Sequence, residues 1–246
     1  MIKRIAATLI LDSNYVVNSY DFNVHLPIGK LKYTMQRLQE FEVDEINILN
    51  TSHSNSPVSD FNTLFTDISD WHISTPIGYG GGITSLEDAI QLVSCGIERV
   101  IISAKTFFDI NLFNDICSSL GDQAVILHLP LEFDGVTPSI RGYKSRMLTN
   151  VCDIIPKNWG GEIMLSITKS DGLSSPNWQA ISEALKIMSS SNNIILAGGF
   201  ARYEDIAVGL SLNQVTAISI GNYLHRAEQS IIKIKNNINS DIQIRR

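Results

Sequence analysis

A closed (β/α)8 barrel, read as one α/β domain over residues 1–246, is the fold this chain predicts, and three observations carry the expectation. Eight apolar strand-type runs alternate with eight amphipathic segments. No shift in composition and no Ser/Pro/Gly-rich linker divides the chain. A glycine motif recurs after about 118 residues, close to half the length, as an internal duplication would produce. The half-barrels would then run over about 1–120 and 121–246. A doubly wound open sheet is the alternative reading of the same alternation.

The strand-type runs fall at about 4–11, 45–50, 76–80, 98–103, 123–129, 162–167, 193–197 and 216–220. Several, such as Val100-Ile101-Ile102 and Ile194-Ile195-Leu196, are continuously apolar, as strands of a parallel sheet covered on both faces should be. The helix-type segments between and after them lie at about 30–42, 58–70, 84–95, 109–120, 146–158, 177–190, 202–212 and 227–238. Two longer insertions, 12–29 and 131–145, follow the first and fifth strands, which are corresponding points of the two halves. Loops after strand C-termini form the active face of a barrel, so both insertions are candidate lids.

The repeated motif is Gly80-Gly81-Gly82, leading through Thr84-Ser85 into a helix, and Gly198-Gly199, leading into Tyr203-Glu204-Asp205. Glycines without side chains let backbone N–H groups approach an anion, and a helix start beyond them adds a positive dipole. The same glycines serve equally as plain strand-to-helix turns, and the motif alone does not choose between the two. The runs that follow, Val100 to Lys105 and Ile218 to Tyr223, and the acids Glu45 and Glu162, keep nearly the same offset.

Net charge is −6 and no basic stripe is present, which argues against nucleic acid as a partner. No apolar run approaches a membrane span and the first residues lack a signal-type core, so a cytoplasmic chain without membrane contact is expected. Cys95, Cys117 and Cys152 fall in helix-type segments at no metal-ligand spacing and read as free thiols. His25, His53, His72 and His225 are scattered, and neither a metal nor a cofactor is implied. Phe107, Phe108, Trp71 and Trp178 read as packing residues.

Seven short motifs taken together are more specific: Lys3-Arg4-Ile5, Val43-Asp44-Glu45, Tyr79 to Ile83, Gly121 to Val125, Gly161-Glu162-Ile163, Ser170-Asp171-Gly172 and Ala197-Gly198-Gly199. In this order and spacing the chain resembles the cyclase subunit of imidazole glycerol phosphate synthase over nearly its whole length. That resemblance implies a barrel that receives ammonia from a separate glutaminase subunit, as a heterodimer, at its bottom face. The ammonia would pass up the interior to a phosphorylated substrate at the top. By position the resemblance assigns Arg4, Glu45, Arg99 and Glu162 to a charged gate at the lower mouth and Glu98 to the partner interface. A stabilising salt-bridge ring is the plainer reading of the same four charges.

The two aspartates that the resemblance expects at the tops of the first and fifth strands are Ile10 and Pro130, and neither moves a proton. An expected lysine is Asn18, an expected acid is Asn50, and an expected acid–arginine pair is Lys169-Ser170. Side chains two apart on a strand share a face, so Asp12 shares one with Ile10, and His128 and Glu132 share one with Pro130. These three are the candidate catalytic residues. Asp12 also reads as a turn residue, Glu132 as a solvated loop acid and His128 as a satisfied core histidine. The matching phosphate positions form two cradles. Gly81, Gly82 and Ser103, with Lys105 as an added cation, make one; Asp171, Gly172, Gly198, Gly199, Gly221 and Asn222 make the other.

Three functions follow. The first is a synthase-type amidotransferase subunit acting on a phosphorylated or nucleotide-activated substrate, in particular an acetamido sugar of surface polysaccharide, as in divergent relatives of the resembled family. The second is ring closure in histidine biosynthesis. The third is a non-catalytic barrel that binds or activates a glutaminase.

Overall fold

Eight parallel strands close on themselves in the computed structural model, which describes residues 2–12, 15–21, 24–51, 68–188, 193–226, 230–238 and 242–245. In barrel order they are β1 (Arg4–Asp12), β4 (Glu45–Asn50), β5 (Ile77–Gly80), β6 (Arg99–Ser103), β7 (Val125–Phe133), β10 (Glu162–Ile167), β11 (Asn193–Ala197) and β12 (Val215–Ile220). The ladder closes where β12 pairs in parallel with β1, Arg4 opposite Ala217. The order is sequential throughout, so each strand's neighbours are those the chain supplies next, and the open-sheet alternative falls away.

The connecting helices include α1 (Leu31–Glu40), α2 (Leu86–Ser94), α3 (Ala104–Phe107), α4 (Ile110–Leu120), α5 (Leu148–Cys152), α6 (Trp178–Ile187), α7 (Tyr203–Ser211) and α8 (Ser230–Asn237). Helix α2 starts at a capping box in which the Ser85 hydroxyl accepts from the Asp88 N–H and the Asp88 carboxylate accepts from the Ser85 N–H. The outward faces of the strands and the inner faces of the helices form one buried layer, with Ile5, Leu9, Ile46, Tyr79, Phe113 and Leu196 fully buried. A second, smaller apolar cluster fills the barrel itself: Ile10, Val17, Leu49, Ile101, Ile126, Met164, Ile195 and Ala217.

Several boundaries differ from those expected. The helix expected over 146–158 covers only Leu148–Cys152, because Pro156 breaks the periodic segment a few residues on. The segment expected at 58–70 lies mostly outside the described residues; its end is a short 3-10 turn, Ile68–Trp71. Cys95 caps helix α2 at its C-terminal end, one residue beyond it.

Both insertions contain antiparallel hairpins. β2 (Tyr15–Tyr20) pairs with β1 and with β3 (Val24–Lys30), while β8 (Pro138–Ile140) pairs with β7 and with β9 (Tyr143–Met147). Pro130 fits inside β7 because of this arrangement. Its carbonyl accepts from the Arg141 N–H at 2.8 Å, on the hairpin side, and the missing N–H would face the same way. β6 pairs with β7 only as far as Ser103 opposite His128, so the missing donor falls on the hairpin side and the parallel barrel ladder loses no bond at Pro130.

Candidate functional site

At the lower mouth the first residues of four strands meet. Arg4 Nη1 donates to Glu45 Oε2 at 2.9 Å, and Arg4 Nη2 donates to Glu162 Oε1 at 2.5 Å. Arg99 Nη1 donates to Glu162 Oε2 at 2.5 Å and to Glu45 Oε1 at 3.3 Å. Each arginine therefore bridges both glutamates, and the Thr216 hydroxyl adds a further donor to Glu162. Glu45 is 2 % exposed and Glu162 8 %, so their charges are viable only because they are paired. Burial alone would lower the Arg4 pKa, but Glu45 and Glu162 outweigh it and raise it. Burial likewise opposes ionisation of Glu162, and Arg4 and Arg99 reverse the balance and hold it below the ordinary carboxylate value. An open recess bordered by Ile2, Gln123, Gly160 and Asn193 leads to the ring from below. Glu98 is exposed at the same end, where its carboxylate accepts from the Ile77 N–H at 2.7 Å.

At the opposite end, a recess gathers Asp171, Gly172, Gly198, Gly199, Gly221 and Asn222 with Thr8, Ser166 and Ser219. Gly198 and Gly199 have φ of 97° and 83°. A Cβ at Gly198 would come 2.7 Å from the Ile167 carbonyl oxygen, and one at Gly199 would come 2.5 Å from that of Ser175. Only glycine satisfies both constraints. Among the described residues the lining carries no Lys or Arg, so an anion here would meet backbone N–H groups and the start of α7. Asp171 is turned away to the β2 hairpin, where its carboxylate accepts from the Ser19 hydroxyl at 2.7 Å. Asn222 grips the same hairpin residue, accepting from Ser19 N–H at 3.1 Å and donating to its carbonyl at 2.6 Å.

The first cradle has its own local bonding. Gly81 and Gly82 have positive φ, 116° and 73°, as Gly198 and Gly199 do. The Ser103 hydroxyl caps α3, accepting from the Thr106 N–H at 3.3 Å. Lys105 lies exposed on α3.

Two histidines flank the positions where carboxylates were expected. His128, two residues before Pro130, sets Nε2 2.9 Å from Ser166 Oγ, itself part of the recess lining. Burial lowers its pKa to about 4, so its ring is neutral at ordinary pH. On the other side, Asp12 Oδ2 lies 2.8 Å from His25 Nδ1. The register sets His25 opposite Ser19 and Asp12 opposite Tyr15, on the same hairpin face as Ile10 and Val17 of the barrel interior. His25 Nε2 is buried without a hydrogen-bond partner among the described residues. Ile10 is 5 % exposed in the apolar filling of the barrel. Glu132 is half-buried on β7, its carboxylate without a hydrogen bond or ion pair among the described residues. The structure thus brings Asp12 and His128 to the upper mouth in company that the sequence did not indicate. His25 read only as a scattered histidine and Ser166 was not singled out, because hairpin register and strand order, not spacing, join them to Asp12 and His128.

The remaining expectations concern inert groups. Burial pushes the Cys117 and Cys152 thiols up to about 11, as befits packing residues. Asn18, where a lysine was expected, lies on β2, and Asn50 donates to the Tyr79 hydroxyl at 2.9 Å. Phe107 is buried and Trp178 packs edge-on against Phe200. His53 lies outside the described residues. No described helix is long and apolar enough to cross a membrane.

The profile of the family described as histidine biosynthesis protein matches residues 5–230. Among curated proteins, this chain is similar to a Dictyoglomus turgidum protein named imidazole glycerol phosphate synthase subunit HisF. The two are 28 % identical across 95 % of this chain and 94 % of the relative. A Vibrio vulnificus protein with the provisional name imidazole glycerol phosphate synthase subunit hisF2 is also 28 % identical, across 94 % of this chain and 86 % of its own length. A Campylobacter jejuni protein with the same provisional name is 24 % identical across 85 % of this chain and 84 % of its own.

Proposed function

We propose, from the premise that the chain belongs to the histidine biosynthesis protein family as a divergent HisF-type cyclase subunit, that it is the synthase half of a glutamine amidotransferase. A glutaminase docks beneath the barrel beside Glu98, releases ammonia at the charged ring, and the ammonia crosses the barrel to a substrate held above. The substrate carries phosphate, as a phosphorylated metabolite or a nucleotide-activated acetamido sugar of surface polysaccharide. The observation that carries this reading is the pairing of the two ends. Arg4, Glu45, Arg99 and Glu162 interlock at one mouth while a glycine recess with positive φ opens at the other.

The chemistry at the top uses histidines in place of the carboxylates expected at Ile10 and Pro130. Asp12 on Nδ1 of His25 fixes the tautomer that leaves Nε2 as an acceptor and stabilises the imidazolium once a proton arrives. A single positioned base of this kind takes the proton that ammonia loses on adding to the electrophilic carbon and, as the imidazolium, returns it to the carbonyl-derived oxygen, whose C–O bond breaks as it leaves as water. His128 stays neutral and, with Ser166, supplies a hydrogen bond to the developing charge. Glu132, on β7 near this mouth, is a further proton acceptor. The phosphate rests at Gly198, Gly199, Gly221 and Asn222, and a second phosphate at Gly81 and Gly82 beside Ser103.

Ring closure on the imidazole precursor is the second reading, favoured by the names of the relatives and opposed by Ile10 and Pro130. The test is turnover of ammonium by the purified chain on the imidazole precursor and on a nucleotide-activated acetamido sugar. Amidation of the sugar supports the first reading and closure of the ring the second. Turnover of neither, with a glutaminase still bound and activated, would leave only a binding role.

A further inference from the structure

Directly above the charged ring the barrel buries a carboxamide for which the described residues supply no partner. Asn47 lies two residues beyond Glu45 on β4, so its side chain points to the same interior side as the ring. It is 0 % exposed, and neither Oδ1 nor Nδ2 has a hydrogen-bond partner among the described residues. The register sets Gly78 of β5 opposite it, and a Cβ at Gly78 would come 2.3 Å from Asn47 Oδ1. The missing side chain at Gly78 therefore makes the room the amide occupies. Beyond it stand the apolar side chains that fill the barrel, Ile101, Ile126, Met164 and Ile195 among them. An apolar residue would pack at this position without a desolvation cost, whereas an amide left with both polar atoms unpaired is strongly unfavourable.

We infer that Asn47 is a binding site for one small neutral hydrogen-bonding molecule, of the size of water or ammonia, held between the charged ring and the apolar filling. The amide offers an acceptor and a donor side by side. A molecule with both N–H or O–H hydrogens and a lone pair satisfies the two together. An ammonium ion has no lone pair to accept from Nδ2, and burying its charge beside apolar residues is disfavoured, so the site selects the neutral species. The site is a property of the barrel alone. Only its use as a stop for ammonia rests on the proposed amidotransferase function.

The test is a high-resolution crystal structure of the wild-type chain beside that of Asn47→Val, joined to side-chain amide NMR of Asn47. The expected result is a solvent-sized peak within about 3.2 Å of both Asn47 Oδ1 and Nδ2, lost in Asn47→Val. Titration with ammonium chloride near pH 9.5, against the same salt near pH 6, separates the occupants. An amide shift that follows the neutral ammonia concentration identifies ammonia, and a peak without that shift identifies water. A dry interior in the wild type, or an Asn47 amide turned to a protein partner, overturns the inference. Because the wild-type structure decides this, a failure of Asn47→Val to fold does not shelter it, and Asn47→Ser is the gentler second variant. If the site is occupied while no glutaminase binds the chain, the inference stands and the amidotransferase reading falls.

Discussion

Arg141 Nη1 donates to the Asp21 carbonyl at 2.6 Å and to Asp21 Oδ1 at 3.1 Å, tying the hairpin that follows the fifth barrel strand to the one that follows the first. Asp21 sits at the turn between β2 and β3 with φ of 51°, and Arg141 at the turn between β8 and β9. The contact spans the upper mouth, since Ser19 and Tyr20 on the same hairpin reach Asp171, Asn222 and Arg226.

Arg141→Ala should therefore loosen the two hairpins without unfolding the barrel. Exposed ion pairs contribute roughly 0–1 kcal/mol, so the melting temperature should hardly move. Hydrogen exchange over β2, β3, β8 and β9 should quicken, while the eight barrel strands stay protected. Equal exchange in both proteins would show that the hairpins are held by other contacts.

Acid should weaken the fold in a window that two histidines set. Burial lowers His128 to about 4; burial and then the Arg37 guanidinium lower His225 to about 4 as well. Unfolded, both take up protons near their ordinary 6.5, so between about 6.5 and 4 the unfolded chain binds more protons and stability falls with falling pH. Above about 6.5 these groups add no pH dependence. Glu162, held low by Arg4 and Arg99, adds to the loss only below the ordinary carboxylate range. His225→Asn should flatten part of the decline in chemical denaturation between about pH 6.5 and 4.5. An unchanged slope would mean the ring is already hydrated in the folded state.

Gly199→Ala is the direct test of the upper recess. The added methyl would lie 2.5 Å from the Ser175 carbonyl at a φ of 83°, so strain of about 1–3 kcal/mol and a displaced loop are expected. Binding of inorganic phosphate, followed by calorimetry, should weaken at least tenfold. Gly142→Ala, at an open turn with φ of 76°, controls for strain without a cradle. Equal phosphate binding by both variants would place the anion elsewhere.

The Asp12–His25 pair makes graded predictions for activity. His25→Ala should lower turnover by about 10²–10³-fold, as loss of a positioned proton acceptor does. Asp12→Asn should retain the ring but leave its tautomer unfixed, with a smaller loss and a shifted pH profile. A His25→Ala variant with wild-type turnover would return the proton transfer to Glu132 or His128.

The barrel was legible in the sequence because its strands are near-continuous apolar runs, and the eight observed strands differ from the expected ones by a few residues at their ends. The lower ring was expected from the family resemblance, and it forms because each member begins a strand, which puts all four at one level. The upper mouth was less so. The hairpins 15–30 and 138–147 were expected only as insertions, since short strands interrupted by turn residues carry a weak alternation signal. The partnership of Asp12 with His25, and of His128 with Ser166, depends on which strands become neighbours, and no local spacing encodes that. The orphaned Asn47 was invisible for the same reason: Ile-Asn-Ile reads as an ordinary strand until Gly78 is set beside it.

The ring of Arg4, Glu45, Arg99 and Glu162 is proposed to couple a glutaminase to the chemistry above. Arg99→Ala removes one of the two bridging arginines, leaving Arg4 to hold both glutamates, and should cost about 3 kcal/mol. The decisive measurement compares glutamine-driven with ammonium-driven turnover in the reconstituted pair, for wild type and Arg99→Ala. Product formed per glutamine hydrolysed should fall severalfold in the variant while ammonium-driven turnover is retained. Equal coupling in wild type and variant, or a glutaminase that does not bind the barrel at all, would contradict it.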